Sequence, residues 1–280
     1  MSYFKIKSFA KINLALNVVG KKNSLHKIES IISFVDLHDE ILIKKTNNKV
    51  HKIYFSGKFF NGIKSNNTVT KLFKIIDKKR LLKNKFEIKI KKNIPSEAGL
   101  GGGSMNAASI LNFFIKKGFI KIKKKEAMEI SGLIGSDVIL GLYSKNLILK
   151  SDSSIKIVSN KKKFYTLIVK PNFGCSTKKI FSKVRKFSRS ELNGAQGHMF
   201  NIKYLRKMKN DLEPIALNRY PKLNELKNFL EKLSNIEFVR MTGSGSAIIG
   251  YFNSVKKCKD VEKKVKKQFR NYWCKISKTI

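Results

Sequence analysis

The 280 residues carry 60 Lys and Arg against 19 Asp and Glu, a formal net charge of +41. That length buries an ordinary core in one or two domains, and a hydrophobic content of 42% is that of a globular chain. The charge alone suggests a nucleic-acid binder, but only seven of the 60 basic residues are Arg. Bidentate recognition of bases and phosphates favours Arg, so lysines spread along the whole chain read as a solvated basic surface.

Along the chain, Tyr3–Lys7, Lys11–Val18, Ile28–Val35 and Glu40–Lys44 read as strands, with a turn near Gly20–Ser24. Val69–Lys79 has helical periodicity, and Lys85–Lys91 alternates as a strand with Phe86, Ile88 and Ile90 on one face. Residues 95–106, Pro-Ser-Glu-Ala-Gly-Leu-Gly-Gly-Gly-Ser-Met-Asn, then run into a helix marked by Ala107, Ile110, Leu111, Phe114 and Ile115. Lys124–Ile134 is a further helix that stops at Gly135. Asp137 follows, and then an apolar, strand-like run to Leu149. Polar residues from Lys150 to Lys163 suggest a boundary, giving domains 1–155 and 156–280.

Beyond it, Phe164–Lys170 reads as a strand, Thr177–Val184 as a short helix, and Lys203–Leu217 and Leu223–Leu233 as longer ones. Strands Phe238–Met241 and Ala247–Phe252 flank a second glycine turn, Thr242-Gly-Ser-Gly-Ser246. Helix Val255–Phe269 and strand Tyr272–Ser277 close the chain. The class is α+β in two halves.

Cys175, Cys258 and Cys274 form no Cys-x-x-Cys pair and leave one unpaired in any disulfide scheme, which points to a reducing, cytoplasmic compartment. The four histidines lack metal-ligand spacing. No signal-peptide h-region opens the chain and no stretch nears 18 apolar residues, so no membrane is expected.

The segment 95–106 is built to hold phosphate. Gly99, Gly101, Gly102 and Gly103 let the backbone approach an anion, and the first amides of the next helix lack intrahelical partners at the positive end of its dipole. It is neither a Walker A sequence nor a Rossmann turn. A plain connector would mix lysine with its glycines, and this segment has none. Ser104 reads as an N-cap or as a contact to phosphate or Mg²⁺. Asp137 reads either as a helix N-cap or as the carboxylate that accepts a proton from an alcohol nucleophile. Spacing alone leaves those two readings open. Lys11 lies in the apolar frame Phe9-Ala-Lys-Ile-Asn-Leu14, where a partly buried cation would offset transition-state charge; the alternative is a lysine reaching from an edge strand to solvent.

Lys11-Ile-Asn13, His26, Asp36-Leu-His-Asp39, Gly99–Ala108, Gly135-Ser-Asp-Val138, Asn210-Asp-Leu-Glu213 and Thr242–Ser246 together, in this order, resemble the GHMP kinase superfamily. The resemblance implies a two-domain fold, an N-terminal domain like the second domain of ribosomal protein S5 and a C-terminal α/β-sandwich. It implies transfer of the ATP γ-phosphoryl group, with Mg²⁺, to an alcohol. The branch it resembles acts on the 2-hydroxyl of a methylerythritol carried on cytidine diphosphate, in the non-mevalonate route to isoprenoid precursors. On this pattern Lys11 and Asp137 are catalytic. Pro95, Ser96, Glu97, Ala98, Gly99, Leu100, Gly101, Gly102, Gly103, Ser104 and Met105 bind ATP. Asn13, His26, Thr177, Phe181, Gly243, Ser244 and Gly245 bind the substrate, with His26 on the base edge and Phe181 on its face. No dedicated metal ligand is assigned. The partner is a small cytidine diphosphate, with no specific nucleic acid and no membrane.

Two departures stand out. The family usually places a cytosine-stacking tyrosine where Leu25 stands in Ser24-Leu-His26, so weaker cytidine binding is expected. The loop start, Pro95-Ser-Glu-Ala98, lacks extra glycines common in the family. Alternative readings are another GHMP kinase acting on mevalonate-type, homoserine or sugar substrates, a basic nucleic-acid-binding protein, or a decayed kinase kept as a binding module.

Overall fold

The computed structural model describes residues 2–23, 25–159, 163–194 and 196–280. Ser24, in the expected turn and at the head of the Ser24-Leu-His26 triplet, lies outside the described residues, as do residues 160–162 of the expected boundary. The chain divides into two compact units. One comprises Met1–Lys11, Leu37–Ser96 and Gly101–Ser144; the other comprises Ile12–Asp36, Glu97–Leu100 and Lys145–Ile280.

Two long strands, β1 (Phe4–Lys22) and β2 (Leu25–Thr46), run through residues of both units. Each stands where the alternation pattern suggests two. In β1 the alternation loses phase at Ser8-Phe9, where the polar residue is buried and the aromatic one half-buried, yet the backbone continues as one strand.

In the first unit, β3 (Lys52–Ser56), a half-exposed strand the pattern reading omits, lies parallel to the strand that follows α1 (Thr68–Lys78). That strand, β4 (Lys85–Lys91), pairs antiparallel with β2 from Glu40↔Lys91 to Thr46↔Lys85. α2 (Gly102–Lys116), α3 (Lys124–Ile134) and α4 (Val138–Gly141) complete the unit. Its core joins Ile41, Ile43, Phe86, Ile88 and Ile90 of the strands to Leu72, Phe73 and Ile76 of α1 and to Ile110, Leu111 and Phe114 of α2. α1 opens with a full capping box, Asn67 with Thr70.

The apolar run after Asp137 is not one strand. It forms the single turn α4 and then β5 (Leu147–Leu149). A short apolar run has no period of its own, and packing decides it. A Cβ on Gly141 would lie 2.6 Å from Ala108 Cβ and 3.1 Å from Met105 Sδ, so α4 lies hard against α2 where a side chain would not fit.

In the second unit, β5 pairs antiparallel with β2 (Ser30↔Leu149) and with β6 (Ile155–Ile157). Then come β7 (Tyr165–Lys170), α5 (Thr177–Phe181), a 3₁₀ turn at Gly197–Phe200, α6 (Ile202–Lys207), α7 (Glu213–Arg219) and α8 (Pro221–Glu231). β8 (Phe238–Met241), β9 (Ile248–Phe252), α9 (Val255–Gln268) and β10 (Trp273–Lys278) end the chain. The sheet order β10-β7-β9-β8 is antiparallel throughout. Leu223, Leu226 and Leu230 of α8 and Cys258, Val261 and Val265 of α9 share one core with Leu167, Val169, Met241 and Phe252 of its strands. The single helix expected over Lys203–Leu217 is two, because Pro214 sits in the first turn of α7 and cannot continue a helix from before it. The class is α+β, and among the described residues no helix is long and apolar enough to cross a membrane.

Candidate active site

In the first unit the catalytic candidates meet. Lys11 Nζ lies 3.3 Å from Asp137 Oδ2, with the lysine side chain 4% exposed and the aspartate side chain 35% exposed. Asp137 occupies the N-cap position of α4, yet its side chain makes no capping hydrogen bond. The carboxylate is therefore spent on the cation and left partly open, unlike an ordinary cap. Gly101 shapes the path of the lysine. Its φ is +68°, and a Cβ there would stand 2.9 Å from Lys11 Cγ and 3.1 Å from Cε. Only glycine allows both the turn and the passage of the lysine stem.

α2 starts at Gly102 with Gly101 as N-cap and has no side-chain cap. Ser104 is thus the third residue of the helix and not its cap, so the N-cap reading of that serine is replaced. An uncapped first turn that opens on Gly102 and Gly103 leaves its N–H groups to an anion, with no Cβ on those two residues or on Gly101 in the way. Thr68 Oγ1 donates to the Gly103 carbonyl at 2.6 Å and ties the start of α1 to this turn. Met105 is buried, as are Pro95, Ala98 and Leu100, so what these residues can offer a ligand is backbone.

Glu97, Ala98, Gly99 and Leu100 belong to the second unit, where they lie against the other glycine turn. The Ser246 N–H donates to the Glu97 carbonyl at 3.0 Å and the Ala247 N–H to that of Ala98 at 3.3 Å. A Cβ on Gly99, whose φ is +72°, would stand 1.9 Å from the Thr242 carbonyl oxygen. The Thr242–Ser246 segment joins antiparallel strands, as a hairpin would, but it is held from several sides. Asn210 Nδ2 donates to the Met241 and Gly243 carbonyls, each at 2.8 Å. Ser244 Oγ and Thr177 Oγ1 are 2.9 Å apart. The Asn13 N–H donates to Thr242 Oγ1 at 3.0 Å, while Asn13 Nδ2 donates to Ser30 Oγ at 2.8 Å. Asn13, Gly99, Thr177, Gly243, Ser244 and Gly245 are thereby linked through one network in the second unit.

His26 stands beside Phe181 with ring centroids 5.1 Å apart. Burial, with the Lys21 charge as a second cause, lowers its pKa from the usual histidine value, which favours the neutral imidazole. Leu25 is 76% exposed. Phe187, absent from the sequence reading, is 6.5 Å from His26, and the neighbouring Ser188 N–H donates to the Val18 carbonyl at 2.9 Å. An exposed phenylalanine in an irregular segment has no periodicity to betray it, so only the fold reveals the pairing.

Among the described residues no group of three or more His, Cys, Asp or Glu side chains could hold a metal ion. The donor set fits Mg²⁺ only as an ion delivered on nucleotide phosphates, with the Ser104 hydroxyl the one side-chain donor in the first turn of α2.

Residues 67–145 match the family described as GHMP kinases N terminal domain. The chain is 57% identical, over 281 residues and the whole of both sequences, to the 4-diphosphocytidyl-2-C-methyl-D-erythritol kinase of Pelagibacter ubique (strain HTCC1062). In fold it is similar to a crystal structure of 4-(cytidine 5'-diphospho)-2C-methyl-D-erythritol kinase, with TM-score 0.78, 19% identity and coverage of 98% of this chain and 99% of that one. It is similar almost as well to a homoserine kinase from Cytophaga hutchinsonii ATCC 33406, at TM-score 0.76, 16% identity and coverage of 100% and 95%. Backbone likeness alone thus does not separate the two kinases.

Proposed function

The chain belongs to the 4-diphosphocytidyl-2-C-methyl-D-erythritol kinase family of the GHMP kinases, and on that premise we propose that it phosphorylates that substrate on its 2-hydroxyl. The product is the 2-phosphate with ADP, in the non-mevalonate route to isoprenoid precursors. ATP handling is assigned to residues 1–155 and the substrate side to 156–280, with Asn13 and His26 as the first half's contribution to the substrate.

The observation that carries the chemistry is the Lys11–Asp137 pair at an N-cap that caps nothing. Asp137 accepts the hydroxyl proton as the oxygen attacks the γ-phosphorus; the new O–P bond forms as the bond to the β-phosphate oxygen breaks. The Lys11 ammonium holds Asp137 in place and stabilises negative charge gathering on the attacking oxygen. The amides of Gly102, Gly103 and Ser104 take the phosphates. Mg²⁺, when bound, neutralises phosphate oxygens. His26 as neutral imidazole meets the edge of the cytosine, and the Phe181 ring offers it an apolar face. The three free thiols suit a reducing, cytoplasmic setting.

The test is ADP release from MgATP with the cytidine substrate, against mevalonate and homoserine, with Asp137→Asn alongside. Turnover with the cytidine substrate alone is expected, and the variant should lose roughly two to four orders of magnitude in kcat. Preference for another alcohol would overturn the substrate assignment. Full activity in Asp137→Asn would remove the proposed base.

A further inference from the structure

Behind the first turn of α2 lies a buried ion pair that the proposed chemistry does not use. Asp39 is fully buried, and Lys92 and Asn106 are nearly so. One Asp39 oxygen, Oδ1, accepts from the Asn93 N–H at 2.7 Å and from the Ile94 N–H at 2.9 Å. The other, Oδ2, accepts from the Lys92 ammonium and from Asn106 Nδ2 at 3.0 Å. A single carboxylate thus gathers the end of β4, the backbone entering the glycine loop and the second turn of α2. Lys92 is fixed in turn through its backbone, its N–H donating to the Ser56 carbonyl at 2.7 Å and its carbonyl accepting from Phe59 N–H at 3.2 Å. Its ammonium comes within 3.3 Å of the place a Cβ on Gly102 would occupy.

A bare carboxylate beneath a phosphate-binding turn would repel the ligand, and burying one without a partner opposes folding. The lysine answers both problems, cancelling the charge and standing next to the first residue of the helix. We propose that Asp39 and Lys92 are positioning residues for ATP, with Asp39 setting the loop and α2 in register and Lys92 keeping that scaffold electrostatically neutral toward phosphate. The proposal rests on the reading that Gly101–Met105 hold the phosphates.

Charge logic separates this role from a merely structural one. Asp39→Asn keeps one oxygen for the two amides but turns an amide donor toward Lys92 and Asn106. Lys92→Met leaves the carboxylate uncompensated. The double variant is neutral again. KM for ATP, and the Kd of a non-hydrolysable ATP analogue, should rise about tenfold in Asp39→Asn and further in Lys92→Met. The double variant should bind ATP better than Lys92→Met alone. KM for the alcohol substrate should stay within about twofold throughout. Should the charge variants not fold by circular dichroism, Asn106→Ala removes one arm and should raise KM for ATP about threefold by itself.

Equal rises in both KM values, or a double variant worse than Lys92→Met, would reduce the pair to general scaffolding and overturn the proposal. Unchanged analogue affinity in folded variants, beside a wild type that binds, would overturn it too while leaving the loop assignment intact. A wild type that binds no nucleotide analogue would sink the loop assignment and the pairing with it.

Discussion

Lys11 is one of 53 lysines, and what sets it apart is the route of its side chain. The stem runs along Gly101 to Asp137, so the glycine serves two purposes, a left-handed turn and an open lane. Gly118 offers a matched control, with φ of +72° and nothing within 4 Å of its absent Cβ. Alanine at either site should cost about 1–2 kcal/mol of stability through backbone strain. Only Gly101→Ala should also displace the lysine, and kcat should fall by about 100-fold there while Gly118→Ala keeps full turnover. Thermal melts and steady-state rates on the two variants check this; equal kcat values would mean the lane is immaterial. Lys11, Asp137 and the glycines were legible because their types and order carry the chemistry in one dimension. Asp39 was visible only as part of a motif, since nothing in a linear string says that four donors from two segments converge on one carboxylate.

The layer of β3, α1 and β4 contains a histidine with a structural task. His51 packs 4.5 Å from the Phe73 ring and 6.2 Å from that of Phe86, and its Nδ1 accepts from the Phe86 N–H at 3.0 Å. Burial holds its pKa below the usual histidine value, and the opposing pull of Asp77, 3.3 Å from Nε2, does not outweigh it. The unfolded chain therefore binds a proton that the folded one resists. Stability is complete above the ordinary histidine pKa and falls as pH drops through it toward the lowered folded value. The urea midpoint should decline from about pH 7.5 to about pH 5.5, with a smaller decline in His51→Gln. An identical decline in the variant would assign the acid sensitivity elsewhere. At this scale the sequence was most readable where one face meets solvent, as in α1, α3 and β4. It was least readable in β1, where the alternation loses phase at Ser8-Phe9 inside one strand, and over Lys203–Leu217, where the helical pattern hides the break before Pro214. The run to Leu149 failed for a third reason, the contact of Gly141 with α2, which no local pattern encodes.

For the molecule as a whole, +41 means that most surface cations have no carboxylate to meet. α9 shows the consequence. Lys256, Lys259, Lys263, Lys264, Lys266 and Lys267 are exposed on it, and the Lys266–Glu262 pair at 2.9 Å is the one ion pair described on this helix. Lys259, Lys263 and Lys267 stand four apart, so the middle one faces a like charge on each side. Such pairs oppose the helix by a few tenths of a kcal/mol each, and net charge of this size strains any compact state. Raising salt from about 0.01 M to about 1 M shortens the Debye length from about 30 Å to about 3 Å, and Tm should climb by several degrees as repulsion is screened. Lys263→Glu turns two repulsive neighbours into attractive ones at the expense of the pairing with Asp260 three residues before it, and should add about 0.5 kcal/mol at low salt, with the gain shrinking at high salt. A Tm indifferent to salt, or a gain from Lys263→Glu that persists at high salt, would show that the excess lysine is balanced by something other than solvent and counterions. A surface merely tolerated by screening, with no polyanion built into it, predicts the opposite on both counts.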